Sequence, residues 1–325
     1  MRAAIGIDIG GTNVRIGLTL ELGEILHQST LTVSDYQDEQ TFLKELSDAI
    51  REFTAMSQDV EIEGIGIGSP GANVRTGTIE NASNLPWEKL EIVVHLNSVT
   101  GLPVFLTNDA NLFAIAEKVF GHASEMNDFI ALTLGTGIGA GIYTSGNLLS
   151  GRDGLAGEVG HITYQRNGRP CKCGRHGCLE RYASASGVVE TTRQLLSEGI
   201  LISELSGVPT GLLTARMVAD AARNDDPLAL RVFQVTGEIL GEALADLTAA
   251  FNPDALFISG GLVNAGEILF RPMQKSFERS LLAIYPMDVP LMKSSIPDQD
   301  AGVLGASALV WDQIKKVNES SLTEI

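Results

Sequence analysis

The sequence predicts a duplicated α/β protein: two halves around a cleft, each a mixed sheet with helices on both faces. Three observations predict it. A Gly-rich turn between two apolar strands occurs twice, as Asp8-Ile-Gly-Gly-Thr-Asn13 and as Leu134-Gly-Thr-Gly-Ile-Gly139. Each turn is followed later by helical and then strand periodicity, the mark of an internal repeat. A chain of 325 residues is also long for one hydrophobic core.

The elements follow in order. Residues 3–9 alternate as a strand, the turn at Gly10-Gly11-Thr12 follows, and Val14, Ile16, Leu18 and Leu20 alternate as a second strand. A third strand around 24–33 completes a meander. Phe42, Leu43, Leu46, Ala49, Ile50 and Phe53 have helical spacing, so 38–55 reads as an amphipathic helix. Ile62–Gly68 is a strand closed by Ser69-Pro70-Gly71, a loop signal. A helix is expected over 89–100, a strand over Val104–Thr107, and a helix over Asn111–Phe120. The pattern then restarts: a strand at Asp128–Leu134, the second Gly-rich turn, and a returning strand at Ala140–Thr144. Helices are expected at about 184–198, 214–223 and 227–250, a strand at Leu256–Ser259, a helix at 267–283, a strand near 289–293 and a last helix over 303–316. A meander feeding βαβ units gives mixed sheets covered on both faces.

Composition excludes some classes. The net charge of −17 argues against broad nucleic-acid binding, which needs a basic surface. No apolar run is long enough for a membrane span. The start, MRAAIGIDIGG, does not resemble a secretory signal, so a cytoplasmic location is expected.

All three cysteines, Cys171, Cys173 and Cys178, fall within eight residues, and His161 precedes them. Three thiols and one imidazole form the ligand set of a closed structural Zn²⁺ site. The competing reading is a disulfide. It leaves one thiol over, and disulfides are rare inside cells. Glu158 and Glu180 flank the cluster, so a metal here would pin a loop, 158–180, that carries two acids.

The two Gly-rich turns join strand to strand, so neither is a Walker loop nor a dinucleotide fingerprint, both of which open a helix. A hairpin without side chains lets backbone N–H groups approach an anion. Gly10, Gly11 and Thr12, with Gly135, Thr136 and Gly137, are therefore candidate phosphate contacts. Asp8, at the tip of the first strand, suits Mg²⁺ or its water shell. A plain tight hairpin is the competing reading. Gly260 and Gly261 end an apolar strand, which suits either a base or ribose lying flat against them or a plain strand-ending turn. Asn108 and Asp109 sit at a strand's carboxyl end, where ligands of open α/β sheets bind. Asn108 suits a helix cap, which leaves Asp109 as a candidate base for phosphoryl transfer.

Together these motifs resemble the ROK family of sugar kinases, of the bacterial glucokinase type. The matching pieces are Asp8-x-Gly-Gly-Thr12, Asn108-Asp109-Ala-Asn111, Leu134-Gly-Thr-Gly-x-Gly139, Glu158-Val-Gly-His161, Cys171-x-Cys-Gly-x-x-Gly-Cys-x-Glu180 and Ile258-Ser-Gly-Gly261. They span almost the whole chain. The resemblance implies the duplicated actin-like ATPase (ribonuclease H-like) fold. It implies a smaller N-terminal domain over 1–120, a larger one over 121–302, and a helix at about 303–317 that returns to the first domain. It further implies a homodimer and ATP-dependent phosphorylation of the 6-hydroxyl of a hexose, glucose first. N-acetylmannosamine, N-acetylglucosamine and a non-catalytic sugar sensor are the alternatives.

Carried over residue by residue, Asp109 matches the base and Asn108, Glu158, His161 and Glu180 the sugar contacts. Gly71 and Asn84 match weaker sugar-loop positions. His161, Cys171, Cys173 and Cys178 match the zinc ligands, and His161 would then serve both metal and sugar. Two departures stand out. Asn13 occupies a position where many relatives carry Lys. The first phosphate strand starts at residue 3, so no winged-helix domain of the kind ROK repressors carry is expected ahead of it.

Overall fold

The computed structural model describes residues 1–82, 84–152, 154–285 and 289–323, with side chains to residue 316. The chain forms two compact units. One comprises Met1–Met126, Asn147–Ala156 and Ser294–Ile325; the other comprises Asn127–Gly146 and Gly157–Lys293.

The first unit runs β1 (Arg2–Ile9), β2 (Asn13–Leu20), β3 (Ile25–Thr32), α1 (Glu39–Met56) and β4 (Glu61–Gly68). Three short strands follow: β5 (Ala72–Asn73), β6 (Thr78–Glu80) and β7 (Lys89–Leu90). Then come α2 (Ile92–Thr100), β8 (Val104–Thr107) and α3 (Asp109–Phe120). Its main sheet has the order β3-β2-β1-β4-β8, antiparallel through the meander and parallel from β1 to β4 to β8.

The second unit contains β9 (Phe129–Leu134) and β10 (Ile138–Thr144). The two-residue β11 (Asn147–Leu148) lies in the segment that belongs to the first unit. After the loop come α4 (Glu180–Ala183), α5 (Ala185–Glu198), α6 (Ala215–Arg223), α7 (Pro227–Phe251), β12 (Ala255–Ser259), α8 (Glu267–Ser280) and β13 (Leu291–Lys293). Here β10-β9-β12-β13 repeat the plan of the first sheet: an antiparallel pair, then parallel neighbours. The duplicated α/β fold is therefore present.

The faces of the first sheet divide by residue type. Ile5, Ile7, Ile9, Val14, Ile16, Leu18, Ile65 and Ile67 point to one side, into a core with Phe42, Leu46, Ile50 and Trp87. Trp87 stacks on Phe42 with ring centroids 4.3 Å apart. The opposite side carries Gly6, Gly17 and Gly66, on which α9 (Ala301–Thr323) lies. A Cβ on Gly66 would sit 1.8 Å from the Ala306 carbonyl oxygen, and one on Gly6 would sit 2.2 Å from that of Val303. The helix backbone thus rests on the sheet backbone.

Two details depart from the sequence expectations. The helix expected from 89 starts at Ile92, because Lys89 and Leu90 pair with Glu80 and Ile79 in a small antiparallel sheet. The last helix starts at Ala301 and so includes Gly302, a residue that normally weakens a helix. No helix of the described residues is long and apolar enough to cross a membrane.

Gly66→Ala places its new methyl group against the α9 backbone, so the helix or the sheet must shift. The expected cost is about 2 kcal/mol of unfolding free energy, read from urea denaturation midpoints. Wild-type stability would show that α9 is not seated this closely.

Candidate functional site

In the first unit the site is built at the ends of β1 and β8. The turn after β1 is closed by the Gly10 N–H donating to the Asn13 carbonyl at 2.9 Å. Asp8 lies directly across from Arg15 on β2 and from Gly68 on β4. Gly302 of α9 makes room for its carboxylate, since a Cβ there would fall 2.1 Å from Asp8 Oδ2. Burial pushes the Asp8 carboxyl up to about 6, the charge of Asp109 pushes the same way, and Arg15 opposes them. Asp8 and Asp109 are thus close enough to repel.

Asn108 caps α3 in extended backbone, its Oδ1 accepting the Ala110 N–H at 2.9 Å. The same N–H also lies 2.9 Å from Asp109 Oδ1. This shared amide fixes Asp109 as the first residue of the helix, on the exposed side. Asn111 is buried and donates to Thr107 Oγ1 at 3.0 Å, tying the first turn of α3 back to β8. Asn84 is exposed, and its Nδ2 lies 2.7 Å from where a Cβ on Gly11 would be, so it covers the first Gly-rich turn. Gly71 has φ +69°, and its carbonyl accepts the Glu80 N–H at 2.8 Å. It turns the chain into the small sheet that carries Asn84.

In the second unit the site centres on Glu180, the first residue of α4. Its Oε2 accepts the Ile138 N–H at 3.2 Å, at the exit of the second Gly-rich turn. A Cβ on Gly137 would lie 2.1 Å from that oxygen, so glycine is required for the carboxylate to reach the turn. The turn is gripped from α5 as well. The Ala185 N–H donates to the Gly135 carbonyl and Ser186 Oγ to the Thr136 carbonyl, both at 2.9 Å. Ala185 and Ser186 were not singled out in the sequence; the small residues after Cys-Leu-Glu were the available signal.

Cys171, Cys173 and Cys178 are free thiols. With His161 they place four ligand atoms within 4.8 Å of one another. His161 Nδ1 is 3.7 Å from Cys171 Sγ, and Cys173 Sγ is 3.6 Å from Cys178 Sγ. Tetrahedral Zn²⁺ with bonds of about 2.3 Å needs edges of about 3.8 Å, so the cluster fits the ion in both donor chemistry and spacing. Burial pushes the Cys178 thiol up to about 12, while the Arg175 backbone N–H holds Cys173 below the usual thiol range. The loop is shaped by Gly177, at φ +77°, where any Cβ would meet the Gln165 carbonyl oxygen. With Nδ1 directed at the cluster, His161 Nε2 faces Glu158 Oε2 at 3.9 Å, and Glu158 is largely exposed. Glu180 Oε1 lies 4.0 Å from Cys171 Sγ, so one carboxylate touches both the Gly-rich turn and the cysteine cluster.

The Gly260-Gly261 pair divides in role. Gly260, at φ +99°, backs onto the Leu134 carbonyl and closes the end of β9. Gly261 has open space around it and lines a cavity of about 680 Å³ beside Gly135 and Thr136. Ala215, Arg216, Ala219, Asp220 and Arg223 of α6 form the other wall. Sequence reasoning placed this helix but found no site residue on it. A size of 300–1,000 Å³ is typical of a small-molecule pocket.

The chain matches the ROK family over residues 4–313. The glucokinase of Thermotoga maritima is 36% identical over 318 residues, covering 95% of this chain and 98% of that protein. The xylose repressor of Caldicellulosiruptor bescii is 30% identical over 310 residues, covering 94% and 77%. The crystal structure of a ROK family glucokinase from Streptomyces griseus, in complex with glucose and AMPPNP, superposes with a TM-score of 0.75. It is 32% identical and covers 94% of this chain and 98% of that one.

The raised Asp8 carboxyl carries a stability consequence. Its folded pKa of about 6 exceeds the unfolded value of 3.8, so the folded state holds the proton more tightly and loses stability as pH rises between the two. In metal-free buffer Asp8→Asn should match wild type near pH 4 and exceed it by about 2 kcal/mol above pH 7. An equal difference at both pH values, in urea titrations, would contradict this account of Asp8. Metal analysis should find one Zn²⁺ per chain, lost in Cys178→Ala; wild-type protein purified natively without zinc would overturn the cluster's reading.

Proposed function

The chain belongs to the ROK family, and from that premise we propose that it is an ATP-dependent hexose kinase acting on the 6-hydroxyl of glucose. The observation that carries the reading is the pair Asp8 and Asp109. Two carboxylates sit at strand ends beside a Gly-rich turn, close enough that the charge of Asp109 raises the Asp8 carboxyl. Such a pair suits phosphoryl transfer, which needs one carboxylate at the metal and another at the attacking hydroxyl.

The roles divide by position. Asp109 accepts the 6-OH proton as O6 attacks the γ-phosphorus. The O6–P bond forms, the bond from phosphorus to the β,γ-bridging oxygen breaks, and its electron pair leaves with ADP. Asp8 would hold Mg²⁺ or its water shell, and the ion supplies charge neutralisation at the phosphates. The backbone N–H groups of Gly10–Thr12 and Gly135–Gly137 add fixed donors for the same charge. The nucleoside half of ATP is assigned to the cavity lined by Gly261 and α6.

Asn84, Asn108, Glu158, His161 and Glu180 are assigned to the hexose hydroxyls. A site built from such groups rejects analogues that lack a hydroxyl, because groups that the bound sugar covers are then left unpaired. His161, Cys171, Cys173 and Cys178 would hold Zn²⁺ as a structural ion, with four protein ligands and no open position.

A coupled assay across glucose, mannose, fructose, N-acetylglucosamine and N-acetylmannosamine tests the substrate, with the highest kcat/KM expected for glucose. Preference for an N-acetylhexosamine would overturn the choice of sugar, and no turnover with any of the five would overturn the kinase reading. Asp109→Asn should lower kcat by about 10² or more while calorimetry shows glucose binding retained; near-normal turnover would remove Asp109 from the role of base.

A further inference from the structure

We infer that Arg169 is a positioning residue, a metal-independent clasp that seats Glu180 by closing the cysteine-bearing loop onto α4 and α5. The function of Glu180 rests on the reading above; the clasp itself rests on geometry.

Arg169 stands two residues before Cys171, midway along the loop. Its Nη1 lies within hydrogen-bonding reach of three acceptors: the Arg181 carbonyl at 2.9 Å, Thr191 Oγ1 at 3.1 Å and the Gly187 carbonyl at 3.4 Å. Its Nη2 donates to Gln194 Oε1 at 3.0 Å. The guanidinium carbon lies 4.6 Å from the centroid of the Tyr182 ring, within cation–π range. The Tyr182 hydroxyl accepts the Arg169 backbone N–H at 2.7 Å, and the Arg169 carbonyl accepts the Gly177 N–H at 2.8 Å. Among the described residues no carboxylate pairs with this half-buried cation. The side chain's partners are neutral acceptors and one ring, all on α4 and α5.

The reason for so dense a contact lies in the break between those helices. In a continuous helix the Ala185 N–H would donate to the Arg181 carbonyl. Here it donates to Gly135 of the phosphate turn instead. The Arg181 carbonyl is thereby orphaned one residue after Glu180, and a helix end with an orphaned carbonyl needs an outside donor. Arg169 supplies it. One diversion thus ties the Gly-rich turn to α5, and the guanidinium repairs the resulting gap in α4. The four candidate metal ligands would fix the loop through one set of atoms; Arg169 fixes it through a different set.

The test uses the full chain, zinc-loaded and stripped with 1,10-phenanthroline, as wild type, Arg169→Met and Arg169→Lys. Methionine keeps the aliphatic length without donors; lysine restores one charged donor group. Amide hydrogen exchange is followed at Ile138 and across 179–191, alongside zinc content and hexose KM and kcat. Stripped wild type should keep slow exchange at Ile138 and in 179–191. Zinc-loaded Arg169→Met should keep its zinc, exchange faster there, and show a hexose KM raised about tenfold with kcat little changed; Arg169→Lys should recover part of both. Stripped Arg169→Met should lose the protection altogether.

Wild-type exchange and KM in Arg169→Met would overturn the clasp. So would complete loss of protection in wild type on zinc removal alone. Absence of hexose turnover in wild type would count against the kinase reading, and the exchange data would still decide the clasp.

Discussion

The second unit depends on where one carboxylate is held. Glu180 reaches the Ile138 N–H across 42 residues of chain, and the contact exists only because position 137 is glycine. That hydrogen bond joins a β-hairpin turn to the start of a helix, and the same side chain touches the cysteine cluster through Cys171. A Gly-rich turn on its own is a permissive structure that adopts many conformations at an entropic cost. With Glu180 on one side and Ala185 and Ser186 on the other, it has one. The phosphate side and the sugar side of the proposed chemistry therefore share a scaffold rather than being separately built.

In the first unit the corresponding constraint is the bare backbone contact between the sheet and α9. Gly6, Gly17 and Gly66 open one sheet face to the helix, and Gly302 does the same on the helix beside Asp8, while Gly305 lets the helix approach Leu112 of α3. The approach carries Gly302 up to Asp8 and removes water from that carboxylate. Burial is the first cause of its raised pKa. Packing and electrostatics are one feature here: the glycines that seat the helix also set the protonation of the residue at the turn.

Much of this was legible in sequence, and the remainder was hidden for identifiable reasons. The cysteine cluster was visible because all three thiols and their histidine fall on one short stretch. The two Gly-rich turns were visible because both sit between strands of clear period. Asn108 carried a cap signature, and it does cap α3. The strands β5, β6 and β7 have two or three residues each, too few for a period to show. Gly302 has low helix propensity, so nothing local marks it as part of α9; its packing role is a tertiary fact. The contacts of Glu180 with Ile138 and of Arg169 with α5 join distant positions, and no local pattern encodes them. The α6 wall of the cavity is made of alanines and ordinary surface charges, which carry no chemical signature.

The cysteine cluster also bears on what Glu180 is able to accept. With Cys171 as a thiol, its Sγ lies 4.0 Å from Glu180 Oε1, within reach of a weak S–H donation to it. Metal ligation requires the thiolate, which has no proton to donate. Oε2 stays with the Ile138 N–H, whereas Oε1 no longer has the Cys171 S–H as a donor. An ionised carboxylate oxygen without a donor in a half-buried position is costly unless a ligand supplies one. Under the proposed function a sugar hydroxyl is that donor. An ion held by the cluster would thus leave Glu180 Oε1 open to a hydroxyl donor, the role proposed for it.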